Sequence, residues 1–266
     1  MSDKRVVVIT GGGSGIGKST AKALARVGFH VVINGRRDDV LAEAVEEIRE
    51  LEPGATIEAR PGDVSDPDFA TSLIESVVAD HGRIDALVNN AASVRPKNFA
   101  ELTLEEWDAT MNVVLRASVA CSLAAARQMR EQMSGRIIMV GSQSGVFSDP
   151  NLSPYNAGKA GLHSLGRSLA VDLARYNVAV NTIAPGWVWT PPLDRFLRDD
   201  QSFLRVINPM GRAGSSDECG EVIRYLVAEA PIFLTGTTIF FDGGETAMSK
   251  VSEAALANLY KPKEPQ

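Results

Sequence analysis

The chain has 266 residues, 44% hydrophobic and 23% charged, enough for one large α/β domain with a sizeable core. A net charge of -6 and a pI near 5.2 argue against nucleic acid or an anionic membrane as partner. No apolar run approaches the roughly 18 residues that span a bilayer, and Met1-Ser2-Asp3-Lys4-Arg5 leads into a strand-like run with no signal-peptide pattern, so a cytoplasmic protein is expected.

Residues 5–10 form a β-branched run suited to a strand buried on both faces. The loop Gly11-Gly12-Gly13-Ser14-Gly15-Ile16-Gly17 follows, then a helical pattern to Val27 that Gly28 stops. Residues 30–33 read as a second strand, and 40–51 as a helix with Asp38 or Asp39 as N-cap. A third strand at 56–59 leads to Gly62-Asp63-Val64. Asp66-Pro67 opens a helix to Asp80. Residues 84–88 read as a strand, followed by Asn89-Asn90-Ala91-Ala92 and one long helix over 103–132. Further strands are expected at 136–140, 178–183 and 237–241, with a helix over 154–175. This alternation predicts an α/β fold, a doubly wound (Rossmann-type) parallel sheet of about seven strands in a single domain. The domain is placed at 1–247, with a substrate lid at 190–212 bounded by prolines and Gly211. Residues 248–266 form a C-terminal extension carrying a short helix.

Cys121 and Cys219 lie far apart in helical patterns and read as reduced thiols. His30, His81 and His163 are scattered without metal-ligand spacing, so no metal is expected and each reads as structural.

Glycines between a buried strand and a helix allow a tight turn. The helix N-terminus then offers free N–H groups to a pyrophosphate. Gly12-x4-Gly17-Lys18-Ser19 also fits the spacing of a nucleoside-triphosphate loop, but no strand ends in an acid pair to hold magnesium. In Pro154-Tyr155-Asn156-Ala157-Gly158-Lys159, Tyr155 and Lys159 share one helix face. The ammonium is expected to lower the phenol pKa, and Ser142, at the end of the preceding strand, to hydrogen-bond a carbonyl that the phenol protonates.

These motifs, in this order over residues 5–245, resemble the short-chain dehydrogenase/reductase family in its single-domain branch. Thr10 to Gly17 is similar to its cofactor loop, Asp63-Val64 to its adenine contact, and Asn89-Asn90-Ala91-Ala92 to its Asn-Asn-Ala-Gly motif with Ala92 in place of glycine. Pro185-Gly186-Trp187-Val188-Trp189-Thr190 resembles the segment that holds the nicotinamide amide, and Phe241-Asp242-Gly243-Gly244 the last strand. The resemblance implies a catalytic tetrad of Asn112, Ser142, Tyr155 and Lys159. In it Tyr155 is general acid/base, Lys159 also binds the nicotinamide ribose, Ser142 orients the substrate oxygen and Asn112 holds a water. It implies cofactor contacts at Gly11, Ser14, Gly15, Ile16, Gly17, Arg36, Asp63, Val64, Asn90, Pro185, Gly186, Val188 and Thr190, besides Tyr155 and Lys159.

The end of the second strand reads Asn34-Gly35-Arg36-Arg37, with Gly35 where an NAD enzyme of this fold carries an acid. Arg36 suits a 2′-phosphate, so NADP is favoured and NAD is the alternative. Val94, Ser142, Gln143 and Trp187 are the substrate-side candidates. The expected reaction is hydride transfer between NADP(H) and a carbonyl or secondary alcohol on a small molecule. Enoyl-thioester reduction and a non-catalytic dinucleotide sensor are the rival readings. Helices 103–132 and 154–175 are apolar over more than one face, which fits the homotetramer that the resemblance implies, or a homodimer.

Overall fold

The computed structural model describes residues 4–191, 193 and 203–248. Its strands are β1 (Val6–Thr10), β2 (His30–Gly35), β3 (Thr56–Pro61), β4 (Ala86–Asn89), β5 (Gly135–Val140), β6 (Val178–Pro185) and β7 (Thr238–Phe241). They form one sheet in the order β3-β2-β1-β4-β5-β6-β7, every pair parallel. The order reverses between β1 and β4, the place where open α/β sheets leave a crevice at the strand C-termini.

The helices are α1 (Gly15–Arg26), α2 (Asp38–Leu51), α3 (Pro67–His81), α4 (Leu104–Met111), α5 (Ala117–Gln132), α6 (Ser153–Leu173) and α7 (Ser216–Ala228), with a single turn at Leu204–Ile207. Successive strand residues point to opposite faces. Val7 and Ile9 of β1 accordingly join the core beneath α1, α2 and α7, while Val6 and Val8 join the core beneath α3, α5 and α6. Asp66 caps α3 by accepting from the Asp68 and Phe69 amides, with Pro67 as first helical residue, and Gly82 ends it at φ 75°.

Three departures from the expected elements have local causes. The helix over 103–132 is interrupted: Asn112–Arg116 forms a π turn in which the Ala117 amide bonds the Asn112 carbonyl five residues back. Residues 38 and 39 lie inside α2, and Arg37 is its N-cap. Helix α7 has no counterpart among the elements expected from the sequence, although Ser215 and Glu218 form a complete capping box at its start. Most strand and helix ends move by one or two residues. The short helix expected after Ala247 falls outside the described residues.

The stretch Leu104–Gln132 is also, among the described residues, long and apolar enough by length and composition to cross a membrane, unlike the expectation that none approaches this. Its inner face, with Val114, Ala117, Cys121, Ala125 and Met129, belongs to the core shared with α3 and α6.

Close helix contacts hold the second layer. A Cβ at Gly158 or Gly161 of α6 would stand 2.8 Å from Val114 or 2.9 Å from Leu115, so these glycines let α6 lie against the π turn. On the other face a Cβ at Gly220 of α7 would stand 2.8 Å from the Ser19 carbonyl carbon of α1. That contact is with backbone and cannot yield by a side-chain rotation. Gly220→Ala is therefore expected to cost about 1–3 kcal/mol and to lower Tm by several degrees. A thermal melt unchanged from wild type would contradict this contact.

Candidate active site

A cavity of about 450 Å³ opens at the C-terminal ends of β1, β4 and β5. Of the residues expected to bind cofactor, Gly11, Ser14, Gly15, Ile16, Arg36, Asp63, Val64, Asn90, Pro185, Gly186, Val188 and Thr190 line it, as do Ser142, Tyr155, Lys159 and Val94. Gly17, Asn112, Gln143 and Trp187 do not.

Gly17 has a packing role instead. A Cβ there would sit 2.3 Å from the Gly11 carbonyl oxygen and 2.6 Å from Asn90 Nδ2, so only glycine lets α1 start this close to the strand. Gly11 and Gly15 adopt φ of 65° and 52°, the left-handed region glycine enters at no steric cost. The Ser14 side chain makes no capping bond, which leaves the first amides of α1 facing the cavity. Asn90 ties the loop down: its Nδ2 donates to the Thr10 carbonyl at 2.9 Å and the Gly11 carbonyl at 3.0 Å, and its amide to Thr10 Oγ1 at 3.0 Å.

The Asn34-Gly35-Arg36 corner forms the far end of the cavity. A Cβ at Gly35 would meet nothing closer than Leu41 at 3.4 Å, so the missing side chain leaves open space. The Arg36 side chain is 66% exposed and stands 4.0 Å from Asp63, a loose pair that leaves the guanidinium available.

At the opposite end Tyr155 and Lys159 rise from the first two turns of α6. Lys159 is 2% exposed and its Nζ donates to the Val140 carbonyl, at the end of β5, at 2.6 Å. Burial pushes its pKa down to about 7. Nζ lies 5.5 Å from the Tyr155 ring centroid. The expected lowering of the phenol by this ammonium is not what the free site shows. Burial raises Tyr155 above the usual tyrosine value, the Ser142 hydrogen bond works against that rise, and Asp149 adds to it.

Ser142 has one hydroxyl proton, and a chain of bonds shows where it goes. Ser144 Oγ donates to Asp149 at 2.5 Å, so Ser142 Oγ donates to Ser144 Oγ at 3.0 Å, while the Ser144 amide donates back to Ser142 Oγ at 3.1 Å. With its proton on Ser144, Ser142 must release that partner before it can donate to the Tyr155 oxygen or to a substrate oxygen. Beneath the loop, His163 is buried, and a Cβ at Gly141 would lie 2.4 Å from its Nε2, so the strand end is seated directly on this ring.

Asn112 sits on the π turn, half-buried, with no hydrogen bond to Lys159. Gln143 donates to Glu245 Oε1 at 3.1 Å. Its own Oε1 and Glu245 Oε2 are buried without a donor among the described residues. Trp187 packs edge-on against Phe203, ring centroids 5.1 Å apart, in a small apolar cluster with Leu204 and Ala213. Asp149 and Glu245 are absent from the residues expected from the sequence. The nearness of Asp149 to Ser142 gave a local signal, but Glu245 is 102 positions from Gln143.

The sequence matches the short chain dehydrogenase family over residues 5–201. The chain belongs to the short-chain dehydrogenase/reductase family. It is 35% identical to an uncharacterized oxidoreductase of Thermotoga maritima, over 92% of this chain and 97% of that protein. Identity is also 35% to cis-4-hydroxycyclohexanecarboxylate dehydrogenase of Sinomonas cyclohexanicum, over 92% and 98%. A structure of ElxO with NADP bound superposes with a TM-score of 0.84 at 27% identity, over 92% of this chain and 100% of that one. As a member of this family the chain is an NAD(P)-dependent oxidoreductase of alcohol and carbonyl substrates.

The buried Lys159 carries a stability consequence. An unfolded lysine keeps its proton to about pH 10.4, whereas Lys159 loses its own near pH 7 in the fold. Between those values the unfolded chain binds more protons, so this group makes stability rise with pH; the penalty is full below pH 7. Lys159→Met removes it. The variant is expected to melt above wild type at neutral pH, with the gap narrowing as pH rises towards 10.4. Circular-dichroism melts across that range check this, and a variant less stable than wild type at neutral pH contradicts it.

Proposed function

We propose that the chain transfers hydride between NADP(H) and a carbonyl or secondary alcohol, with Tyr155 as general acid/base. The observation that supports this most is the convergence of Ser142, Tyr155 and Lys159 on one wall of the cavity whose other end is the glycine loop. The cavity fits a dinucleotide: uncapped amides at the α1 terminus for the pyrophosphate, open space at Gly35 and an available Arg36 for a 2′-phosphate.

When bound, the nicotinamide supplies or accepts the hydride. The Tyr155 hydroxyl gives its proton to the carbonyl oxygen during reduction and takes it back during oxidation. A raised phenol pKa keeps that proton in place in the free site, so Tyr155 is ready as an acid. Ser142, once released from Ser144, donates to the oxygen as negative charge develops there. Lys159 lies below the tyrosine, where a ribose hydroxyl would take the place of the Val140 carbonyl as its partner. Asn112 is assigned the water that links Lys159 to solvent.

On the substrate side, Val94 lines the cavity, while Gln143, bonded to Glu245, and Trp187 are assigned to the substrate from outside its lining. Both Ser142 and Tyr155 being present favours a carbonyl over an enoyl double bond. Residues 190–212 are assigned as the lid and 248–266 as an extension, though both reach beyond the described residues. Exposed Leu104, Val119 and Leu123 on α4 and α5, and Val171 on α6, support assembly into a homotetramer or homodimer through these helices. Both cysteines are buried, and burial pushes their thiols up to about 12, in keeping with inert thiols in a cytoplasmic protein.

Tyr155→Phe is expected to lower kcat by more than about tenfold, equivalent to roughly 1.4 kcal/mol of barrier, while cofactor affinity stays near wild type. Retention of most of the rate with a panel of ketones would remove Tyr155 as the acid. NADPH is expected to bind at least several-fold more tightly than NADH. A partly exposed charge-assisted contact contributes about 1.5 kcal/mol or more, and Asp63, Asp38 and Asp39 weaken the local positive field. Arg36→Ala should narrow the difference, and added salt should do so too. Fluorescence titration of both nucleotides decides the point: equal or tighter NADH binding by wild type overturns the assignment.

A further inference from the structure

At the N-terminal end of the sheet, far from the cavity, the fold brings together residues that lie apart in the sequence. His30 opens β2 and pairs with Thr56 of β3, and Glu58 follows two residues along, so His30 and Glu58 share one sheet face. Val32, in the same alternation, packs in the core with Leu73, Ile74 and Val77 of α3, which makes it the α3 face. His81 is the last residue of α3. The two imidazole rings lie 4.2 Å apart at 53°. His81 Nε2 is 3.2 Å from Glu58 Oε1 and His30 Nε2 is 3.9 Å from the same oxygen. The potential ligand atoms of the three residues all lie within 4.8 Å of one another. His30 Nε2 is buried and has no hydrogen-bond partner, a polar atom out of water with nothing to satisfy it.

We propose that His30, Glu58 and His81 bind a divalent transition-metal ion of the zinc kind, clamping β2, β3 and α3 together at the pole opposite the catalytic cavity. Two imidazoles and one carboxylate are the donors such an ion takes, with a fourth position left for water. Ligands of a tetrahedral zinc ion stand about 3.3 Å apart, given bond lengths near 2.0–2.2 Å. The widest gap here therefore closes by at most about 1.5 Å through ring rotation, with the backbone pairing kept. The ion supplies the partner that His30 Nε2 lacks.

The neighbouring charges set the strength of the site. Arg60 donates Nε and Nη2 to Glu58 Oε1 at 3.2 and 3.0 Å, and Nη2 also to Asp80 at 2.5 Å. Lys4 donates to Thr56 at 2.7 Å and lies near enough to act on His30. Arg60 and Lys4 oppose a cation; Glu58 and Asp80 offset them. A guanidinium bonded to a ligating carboxylate also does what outer partners do at metal sites, fixing the carboxylate in place. The rival account is an ion network in which Glu58 only anchors Arg60 and His81, and it predicts no metal uptake.

The test uses the full chain without an affinity tag, freed of metal by a chelator and titrated with zinc by calorimetry and with cobalt by visible absorbance. One equivalent is expected, with a cobalt ligand-field band and a higher Tm in zinc. His30→Ala and His81→Gln should each weaken binding by more than about tenfold, since even outer partners are worth that much, and should leave turnover unchanged. If either variant does not fold, Glu58→Gln, which keeps the shape and loses the charge, takes its place with the same expected loss. No saturable binding by wild type, or binding that survives these substitutions, overturns the site.

Discussion

Lys159 enters the interior at 2% exposure with no carboxylate to pair it among the described residues, and one carbonyl, that of Val140, as its hydrogen-bond partner. A lone ammonium in such a place resists its own charge, which is why its pKa falls to about 7. The arrangement around it follows. β5 must end at Val140 so that a carbonyl is free to point at Nζ, Ser142 comes two residues later at the cavity wall, and Tyr155 lies one helical turn before the lysine. A residue in this state is a poor choice for stability and a fitting one for a proton-transfer site. Its charge is set by what fills the cavity, and a ribose beside it would supply the solvation that the free protein withholds.

Close packing makes the placement possible. α6 can bring Tyr155 and Lys159 beneath the strand ends only because Gly158 and Gly161 admit Val114 and Leu115 of the π turn at distances no Cβ would allow. Gly17 does the same for α1 against the glycine loop, and Asn90 fastens that loop to β4. Several glycines that resemble cofactor contacts in the sequence are thus explained as well by helix approach. The two roles coincide because a phosphate cradle needs backbone close to backbone.

The sheet was readable from the sequence because its cues are local: β-branched runs of five or six, glycine loops after them, caps such as Asp66-Pro67 before the helices. The π turn was not, since Asn112-Val113-Val114-Leu115-Arg116 carries no breaker, and its extra residue is fixed by packing against α6. Helix α7 did carry signals, the Ser215 and Glu218 capping box and an apolar stripe of Cys219, Ile223, Leu226 and Val227 at helical spacing. The tetrad positions could be assigned by resemblance, but not their protonation. The sequence puts an ammonium beside a phenol and suggests a lowered phenol pKa, whereas burial, which is known only from the fold, raises the phenol and lowers the lysine. The contact of His30 with His81 is of the same kind, made by a strand start and a helix end that adjoin only once the sheet has formed.

The cavity wall that carries Ser142 and Tyr155 is built on an ammonium held close to losing its proton. Lysine-selective labelling and heteronuclear NMR, with Lys159→Met to assign the signal, measure that pKa directly in the free protein. A titration near pH 7 is the result this account predicts. A Lys159 signal that stays protonated to the ordinary lysine value of about 10.4 would contradict it and would mean that the site solvates its lysine without help from a bound nucleotide.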